Sequence, residues 1–155
     1  MAPARDAPVS TESTPAPLRR FLGTFDQLDA DACGALFAVD GRLRYIDGHV
    51  EQGRTAVREC LRNYFADLRS TEHIVREHWH CDRDWIAEVE ARYVLADHSL
   101  LGPVSKVFVM RMAGDAIQDL RVYAAGEPSF HEAAVRNEVE RSRGFLVGGR
   151  WTLPL

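Results

Sequence analysis

The stretch EHIVREHWHCDRDWIAEVEARYV, residues 72–94, decides the fold of this chain. Residues 73–80 favour a strand, residues 81–84 supply a polar turn, and residues 85–94 run back as a second strand. The second strand alternates between two sets of residues with a period of two, which is typical of a sheet with one covered face and one wet face. The covered set is Trp85, Ala87, Val89, Ala91 and Tyr93.

Three histidines and an acid make the first strand of this hairpin unusual. His73 and Glu77 share one parity, so both are expected on one face, whereas His78 and His80 share the other. A slip of the register by one residue would exchange the two faces. If the chain carries out chemistry, we expect that chemistry to start at this strand.

Length and composition indicate a single globular domain. The chain has 155 residues, of which 46% are apolar and 27% charged. Its net charge of −4 argues against nucleic acid and anionic membranes as partners. Lys106 is the only lysine, and the arginines are scattered rather than gathered into a binding patch. Three widely spaced cysteines, no membrane-length apolar run and no signal peptide predict a cytoplasmic protein.

The remaining segments predict helices that precede a run of strands. Two helices are expected between residues 18 and 37, with Asp29 or Asp31 capping the second, and a third over residues 54–68. A short strand over residues 42–47 precedes the third helix, with a turn at residues 39–41 and a loop at 48–53. After the hairpin we predict a loop, two strands and a helix, at residues 96–103, 104–112, 117–123 and 130–143.

Helices segregated from hairpin strands define an α+β class. We predict a curved antiparallel sheet that forms a cone, with the N-terminal helices packed on its concave face. The domain would span residues 18–143, between a disordered tail at residues 1–17 and a C-terminal tail at residues 144–155.

Two motifs carry a resemblance to the nuclear transport factor 2-like superfamily. The run LFAVDGRLRYIDGHVEQGRTAVRECL, residues 36–61, resembles the first half of this fold, and KVFVMRMAGDAIQDLRVY, residues 106–123, resembles its closing hairpin. The superfamily includes SnoaL-like polyketide cyclases, ketosteroid isomerases, scytalone dehydratase, limonene epoxide hydrolase and non-catalytic binders. Fold alone does not choose among them. The resemblance also implies a homodimer formed through the outer sheet face.

The sequence lacks residues that three of these activities need. Asp47 stands where ketosteroid isomerases place their base, but Phe21 and Phe108 occupy the positions of the oxyanion donors. Limonene epoxide hydrolase needs Arg-x-Asp, whereas residues 92–94 read Arg-Tyr-Val. SnoaL cyclases place an acid shortly after the last strand, where residues 124–126 read Ala-Ala-Gly.

Scytalone dehydratase is the better match. Its relatives use an Asp in the first helical segment and two histidines, and Asp26, His73 and His98 resemble these by position, with Tyr45 as one pocket tyrosine. A histidine near pH 7 can both remove and return a proton while a carboxylate positions it. The expected pocket wall consists of Phe21, Phe25, Trp79, Phe108, Met110 and Tyr123.

Structural roles explain the same residues without chemistry. Asp26 suits a helix-capping turn, Asp47 precedes Gly48 in a common turn pair, and a buried His73 can simply be hydrogen-bonded. His98 lies in a predicted loop and suits exposure. Glu77 would be a rival acid if it faced the cavity.

Two function classes therefore remain open. The first is a cofactor-independent acid–base enzyme, a dehydratase, isomerase or cyclase of secondary metabolism, acting on a hydrophobic cyclic or polyketide-like molecule. The second is a non-catalytic binding or dimeric scaffold module. No cofactor and no metal are expected, because nucleotide-binding glycine motifs are absent and His78-x-His80, even with Asp97 or His98, is a weak metal signal.

Overall fold

A computed structural model describes residues 14–45 and 48–124. Asp47, the N-terminal tail up to residue 13 and the predicted C-terminal helix and tail lie outside the described residues. Three helices and six strands follow one another in this order: α1 Ala16–Asp26, α2 Ala30–Ala35, β1 Phe37–Tyr45, β2 Val50–Gln52, α3 Arg54–Phe65, β3 Leu68–Cys81, β4 Asp84–Leu95, β5 Leu100–Ala113 and β6 Ala116–Ala124.

The six strands form one open sheet in the order β2-β1-β6-β5-β4-β3. The predicted α+β class is confirmed. A purely antiparallel sheet is not what forms, since β1 pairs with β6 in parallel while every other neighbouring pair is antiparallel. Parallel neighbours need a long connection rather than a hairpin, and here almost the whole domain separates the two strands in sequence.

The first strand is longer than its sequence predicts. β1 begins at Phe37, and the turn expected at residues 39–41 is a register shift within the strand, between Phe37 and Arg42. A Cβ on Gly41 would lie 2.8 Å from the carbonyl oxygen of Ile117, so only glycine allows β6 to approach this closely. The residues expected as a loop after β1 include the three-residue strand β2, which pairs with β1.

The helices bury their apolar stripes against one face of the sheet, which we call the inner face. Strand β4 contributes the fully buried Ala87, Val89 and Ala91 to this face. Helix α1 packs Phe21 there, with its ring centroid 6.2 Å from those of both Phe37 and Phe108. Burial of these apolar side chains is the main stabilising contribution to the domain.

A bulge in β3 changes which histidines face inward. Val75 pairs with Val89, but Glu77 pairs with Glu88, so the ladder shifts by one residue between them. One extra residue in a strand reverses the parity of everything that follows it. Beyond the bulge, His78 pairs with Ala87, and His80 pairs with Trp85.

The predicted parity of the first hairpin strand is therefore wrong after Val75. His78 and His80 lie on the same face as His73, and Glu77 lies on the opposite face. Glu77 is exposed there, which removes it as a rival acid to His73.

The opposite, outer face carries a buried carboxylate among arginines. Asp119 is 2% exposed and accepts hydrogen bonds from Nε of Arg44, at 2.8 Å, and from Nε of Arg121, at 3.2 Å. Arg42 lies 3.8 Å away. Burial opposes ionisation of this carboxyl, but the hydrogen bonds from Arg44 and Arg121 outweigh it and lower the pKa of Asp119 below its ordinary value of 3.8.

We predict that Asp119→Asn lowers the free energy of unfolding by about 2 kcal/mol at neutral pH, because charge-assisted hydrogen bonds are lost. A lowered folded-state pKa contributes stability that is present above the unfolded pKa, near 3.8, and is lost as the pH falls through the lower folded value. Urea denaturation at several pH values should therefore show the deficit of the variant shrinking below pH 4. A stability deficit that stayed constant as the pH fell would contradict the lowered pKa of Asp119.

Candidate functional site

Helix α1 and strand β3 bring Asp26 and His73 together. Oδ1 of Asp26 lies 2.6 Å from Nδ1 of His73, and Oδ2 accepts the backbone N–H of His73 at 3.0 Å. The imidazole side chain is 0% exposed, whereas the carboxylate is 28% exposed. Two contacts from one carboxylate fix both the strand position and the orientation of the ring.

The local sequence explains why Asp26 is available for this contact. Asp26 is the last residue of α1, and Asp29, not Asp26, caps α2 by accepting the N–H of Ala32 at 2.9 Å. The expected cap at Asp29 is confirmed. Because the capping role falls to Asp29, the carboxylate of Asp26 reaches across to β3 instead.

Aromatic rings surround the imidazole of His73. Its ring centroid lies 5.0 Å from that of Phe25, 6.0 Å from that of Tyr93 and 6.3 Å from that of Phe108. The hydroxyl of Thr71 adds a polar contact 3.4 Å from Nδ1. An apolar environment of this kind strengthens the electrostatic interaction between the carboxylate and the ring.

This arrangement defines which ring nitrogen can exchange a proton. A carboxylate that accepts at Nδ1 holds the N–H on that atom, so Nε2 is the basic nitrogen of the neutral ring. The carboxylate also stabilises the imidazolium that forms when Nε2 takes up a proton, as in catalytic dyads and triads. The dyad can thus serve as a general base and, once protonated, as a general acid.

Tyr45 lies apart from the dyad, between β1 and α3. Its hydroxyl is 3.6 Å from Sγ of Cys60, and its ring stacks on that of His49 with centroids 5.9 Å apart. Burial raises the pKa of Tyr45 well above its ordinary value, with Cys60 and Glu51 adding to the shift. Burial likewise raises the pKa of Cys60 to about 11, so this thiol is not activated as a nucleophile.

His98 is placed in the turn between β4 and β5 and not beside the dyad. It is exposed, has a φ of 69° and donates its backbone N–H to the carbonyl of Leu95 at 2.9 Å. Its neighbour Asp97 binds Ser99 through both the backbone N–H and the hydroxyl. These contacts are those of a turn, which agrees with the structural interpretation of His98.

The predicted pocket wall divides between the two faces. The inner face and the helices that cover it bury four of the six residues, namely Phe21, Phe25, Phe108 and Met110. Trp79 and Tyr123 do not line this side, so their predicted place in the pocket wall is wrong. The bulge after Val75 turns Trp79 outward, opposite Ile86, where it is 45% exposed. Tyr123 follows the alternation of β6 to the outer face, since its neighbour Val122 is buried.

The His-x-His pair does not form a metal cluster within residues 14–45 and 48–124, where no group of three or more potential ligands converges. His80 stacks on Trp85 with ring centroids 4.0 Å apart. His78 lies near the same indole, at 6.4 Å. Both imidazoles are thus used in packing at the closed end of the hairpin.

One polar residue of the inner face was not predicted to be buried there. Lys106 is 2% exposed, and its Nζ lies 4.9 Å from the centre of the Tyr93 ring. In β5 it lies on the same face as the buried Val104, Phe108 and Met110, every second residue of the strand. That period of two was visible in the sequence, but a charged residue is usually assigned to the wet face.

A cleft of about 200 Å³ opens on the outer side, away from the dyad. Its lining comprises Arg44, Tyr45, Gly48, Val50, Arg121 and Tyr123. Both arginines already bind Asp119, which partly neutralises their charge in the cleft. Asp47, the other predicted carboxylate, precedes Gly48 but lies outside the described residues.

No protein-family model matches the sequence, and no curated protein matches it. Solved structures do match the fold. A protein with a ketosteroid isomerase-like fold from Catenulispora acidiphila, in complex with trimethylamine, has a TM-score of 0.68 at 15% identity. The match covers 78% of this chain and 94% of that one.

Two further structures extend the likeness. An NTF2-like protein of unknown function from Burkholderia pseudomallei has a TM-score of 0.62 at 14% identity, covering 81% of this chain and 92% of that one. An LEH-like epoxide hydrolase from M. tuberculosis has a TM-score of 0.62 at 13% identity, and the match covers 83% of this chain and 94% of that one. The chain therefore has the nuclear transport factor 2-like fold, as the sequence motifs predict. Identities this low establish the fold and leave the activity open.

We predict that Asp26→Asn lowers the free energy of unfolding by about 1–3 kcal/mol, because a buried imidazole loses a charge-assisted hydrogen bond. Asp31→Asn is the matched control, since the side chain of Asp31 is 72% exposed and, among residues 14–45 and 48–124, pairs with Arg58 and Arg62. That control should cost less than about 1 kcal/mol. Urea denaturation of both variants makes the comparison, and equal losses would show that the Asp26 contact contributes no more than a surface ion pair.

Proposed function

We propose that this chain is a cofactor-independent acid–base enzyme that acts on a hydrophobic cyclic small molecule, with His73 as the base and acid and Asp26 as its orienting carboxylate. The observation that carries the proposal is the 2.6 Å contact between Asp26 and the buried ring of His73. A histidine that only fills a core needs one hydrogen-bond partner and no carboxylate. A carboxylate on Nδ1 is the arrangement that makes Nε2 a stronger base.

The reaction class follows from what the dyad can do. Nε2 of His73 would remove a proton from carbon next to a carbonyl group, and the resulting imidazolium would be stabilised by Asp26. The same proton can then return to a different carbon, which is an isomerisation, or to a leaving hydroxyl, which is a dehydration. Cyclisation starts from the same carbanion. All three reactions need proton transfer in a water-poor site and no bound cofactor.

Substrate class follows from the surroundings of the ring. Phe25, Tyr93 and Phe108 place aromatic surfaces around His73. Such walls bind apolar ring systems and hold few polar atoms. We therefore favour a hydrophobic cyclic or polyketide-like substrate, as in secondary metabolism. Asp47 remains a candidate second carboxylate, and Tyr45 and His98 are assigned no step.

The second candidate is a binding or scaffold module of the same fold. It is favoured by the aromatic packing within the core, where Phe21 contacts Phe25, Phe37 and Phe108. A core filled in this way needs no substrate to be stable. On either proposal we expect a cytoplasmic homodimer. No helix among the described residues is long and apolar enough to cross a membrane.

The activity can be measured without knowledge of the natural substrate. A base that removes a proton next to a carbonyl exchanges that proton with solvent, so the chain should catalyse deuterium uptake by hydrophobic cyclic ketones in D₂O, followed by NMR. We predict that His73→Gln lowers this rate by about 10²–10⁴-fold, the usual contribution of a positioned base. Asp26→Asn should lower it less, because the base remains but loses its orientation.

Asp31→Asn serves as the control and should exchange at the wild-type rate, since its side chain lies on the surface between Arg58 and Arg62. Undiminished exchange in a folded His73→Gln variant would refute the role of His73. Saturable ligand binding with no exchange by the wild-type chain would favour the binding module.

A further inference from the structure

The outer face of the sheet places two arginines directly opposite each other. Strands β1 and β6 run in parallel, and their register pairs Arg44 with Arg121. Like charges this close repel each other. Asp119 offsets the repulsion, since both guanidinium groups donate to its Oδ2 atom. Strand pairing and one buried carboxylate therefore hold the two arginines together.

Asp119 does not balance the positive charge of this cluster. Four arginines meet two carboxylates on the outer face, namely Arg42, Arg44, Arg111 and Arg121 with Asp84 and Asp119. Arg111 binds Asp84 through two of its nitrogens, at 2.7 Å each. Arg42 lies 3.8 Å from Asp119. Positive charge is thus in excess, and it attracts a further anion to this part of the face.

Arg121 carries hydrogen-bond donors that its contact with Asp119 does not use. A guanidinium has five N–H groups, and Arg121 donates to Asp119 through Nε, at 3.2 Å. Within the described part of the chain, its terminal nitrogens make no hydrogen bond, and its side chain is 32% exposed. These nitrogens can form the two parallel hydrogen bonds by which arginine binds a carboxylate.

The cleft of about 200 Å³ opens on the side of the arginine pair that faces away from Asp119. Along β6, Asp119 precedes Arg121, whereas Tyr123 of the cleft lining follows it on the same face. Val50 of β2 pairs with Arg44 and belongs to the same lining. The arginines thus have an anion on one side and an open cleft on the other.

The lining favours a ligand with a small apolar body. Tyr123 is 39% exposed and Val50 is 43% exposed, so both present carbon surface beside the two guanidinium groups. A tyrosine face packs well against a planar ring. The cleft, at about 200 Å³, is smaller than the pockets of about 300–1,000 Å³ that hold drug-sized ligands. Its size therefore suits a molecule with one ring.

We propose that this cleft binds a small carboxylic acid with one ring, of the benzoate type. The carboxylate accepts hydrogen bonds from the terminal nitrogens of Arg121 and pairs electrostatically with Arg44, while the ring lies against Tyr123 and Val50. The site is separate from the pair of Asp26 and His73, which lies on the inner side of the sheet. The inference is thus independent of the proposed acid–base function.

An NMR titration of the full-length wild-type chain with sodium benzoate tests the proposal. We expect saturable shifts in the backbone amide signals of Gly48, Val50 and Tyr123. Benzamide has the same ring but no charge, and it should bind at least about tenfold more weakly, because charge-assisted hydrogen bonds are the stronger ones. Acetate keeps the charge but lacks the ring, so it should also bind more weakly than benzoate.

Two variants and one control locate the site. Arg121→Gln should weaken benzoate binding by about 10–100-fold, since it removes the charged donors. Arg42→Gln removes an equal charge near Asp119 but lies outside the cleft lining, so its affinity should stay within about threefold of wild type. Tyr123→Ala leaves the ion pairs in place, and it should weaken the binding of benzoate while that of acetate is unchanged.

Three results would overturn the proposal. Equal losses of affinity in Arg121→Gln and Arg42→Gln would show that binding follows net charge rather than the cleft. Shifts centred on the amides around His73 would place the benzoate site on the inner face instead. Saturating benzoate that left the cleft amides unshifted would show that the cleft takes no such ligand, as when a second copy of the chain covers it.

Discussion

The contact between the carboxylate of Asp26 and the imidazole of His73 organises the site, because it ties the end of α1 to the centre of β3. A buried imidazole without a hydrogen-bond partner is costly, and a partner that is a carboxylate also sets the tautomer of the ring. Asp26 meets both needs through its contact with Nδ1 of His73. It also accepts the backbone N–H of His73, which ties the strand to the helix. The packing of α1 on β3 and the proposed chemistry thus depend on one side chain.

The register of β3 is the second constraint. Between Val75 and Glu77 the strand gains one residue relative to β4, which sends Glu77 outward and His78 and His80 inward. The bulge leaves His73 with the alternation expected for a strand, since it precedes the irregularity. It also keeps a second carboxylate away from the imidazole, so Asp26 is the acid that the described residues bring to His73.

Much of the fold and part of the site could be predicted from the sequence. The hairpin around residues 72–94 and the two motifs led to the nuclear transport factor 2-like fold, and the solved structures agree. The pairing of Asp26 with His73 came from the resemblance to scytalone dehydratase. The inward turn of His78 and His80 could not be predicted, because period-two alternation contains no signal for an inserted residue.

Lys106 and Trp79 also show why the sequence alone does not tell which face of the sheet a residue occupies. Lys106 shares its face of β5 with Val104 and Phe108, but a charged residue is usually expected on the solvent-exposed face, so its burial was not predicted. Tryptophan favours a covered position, yet the bulge carries Trp79 to the outer face. The sequence therefore placed Trp79 on the wrong side and left Lys106 unassigned, while strand pairing places both residues directly.

Nitrogen-15 NMR of the His73 ring, recorded with and without a series of hydrophobic cyclic ketones, tests the central claim most directly. The account predicts a proton on Nδ1 in the free chain and a saturable change at Nε2 when a ligand binds. A proton held on Nε2 instead, or ring signals that no bound ligand alters, would contradict a catalytic dyad and leave His73 as a core residue.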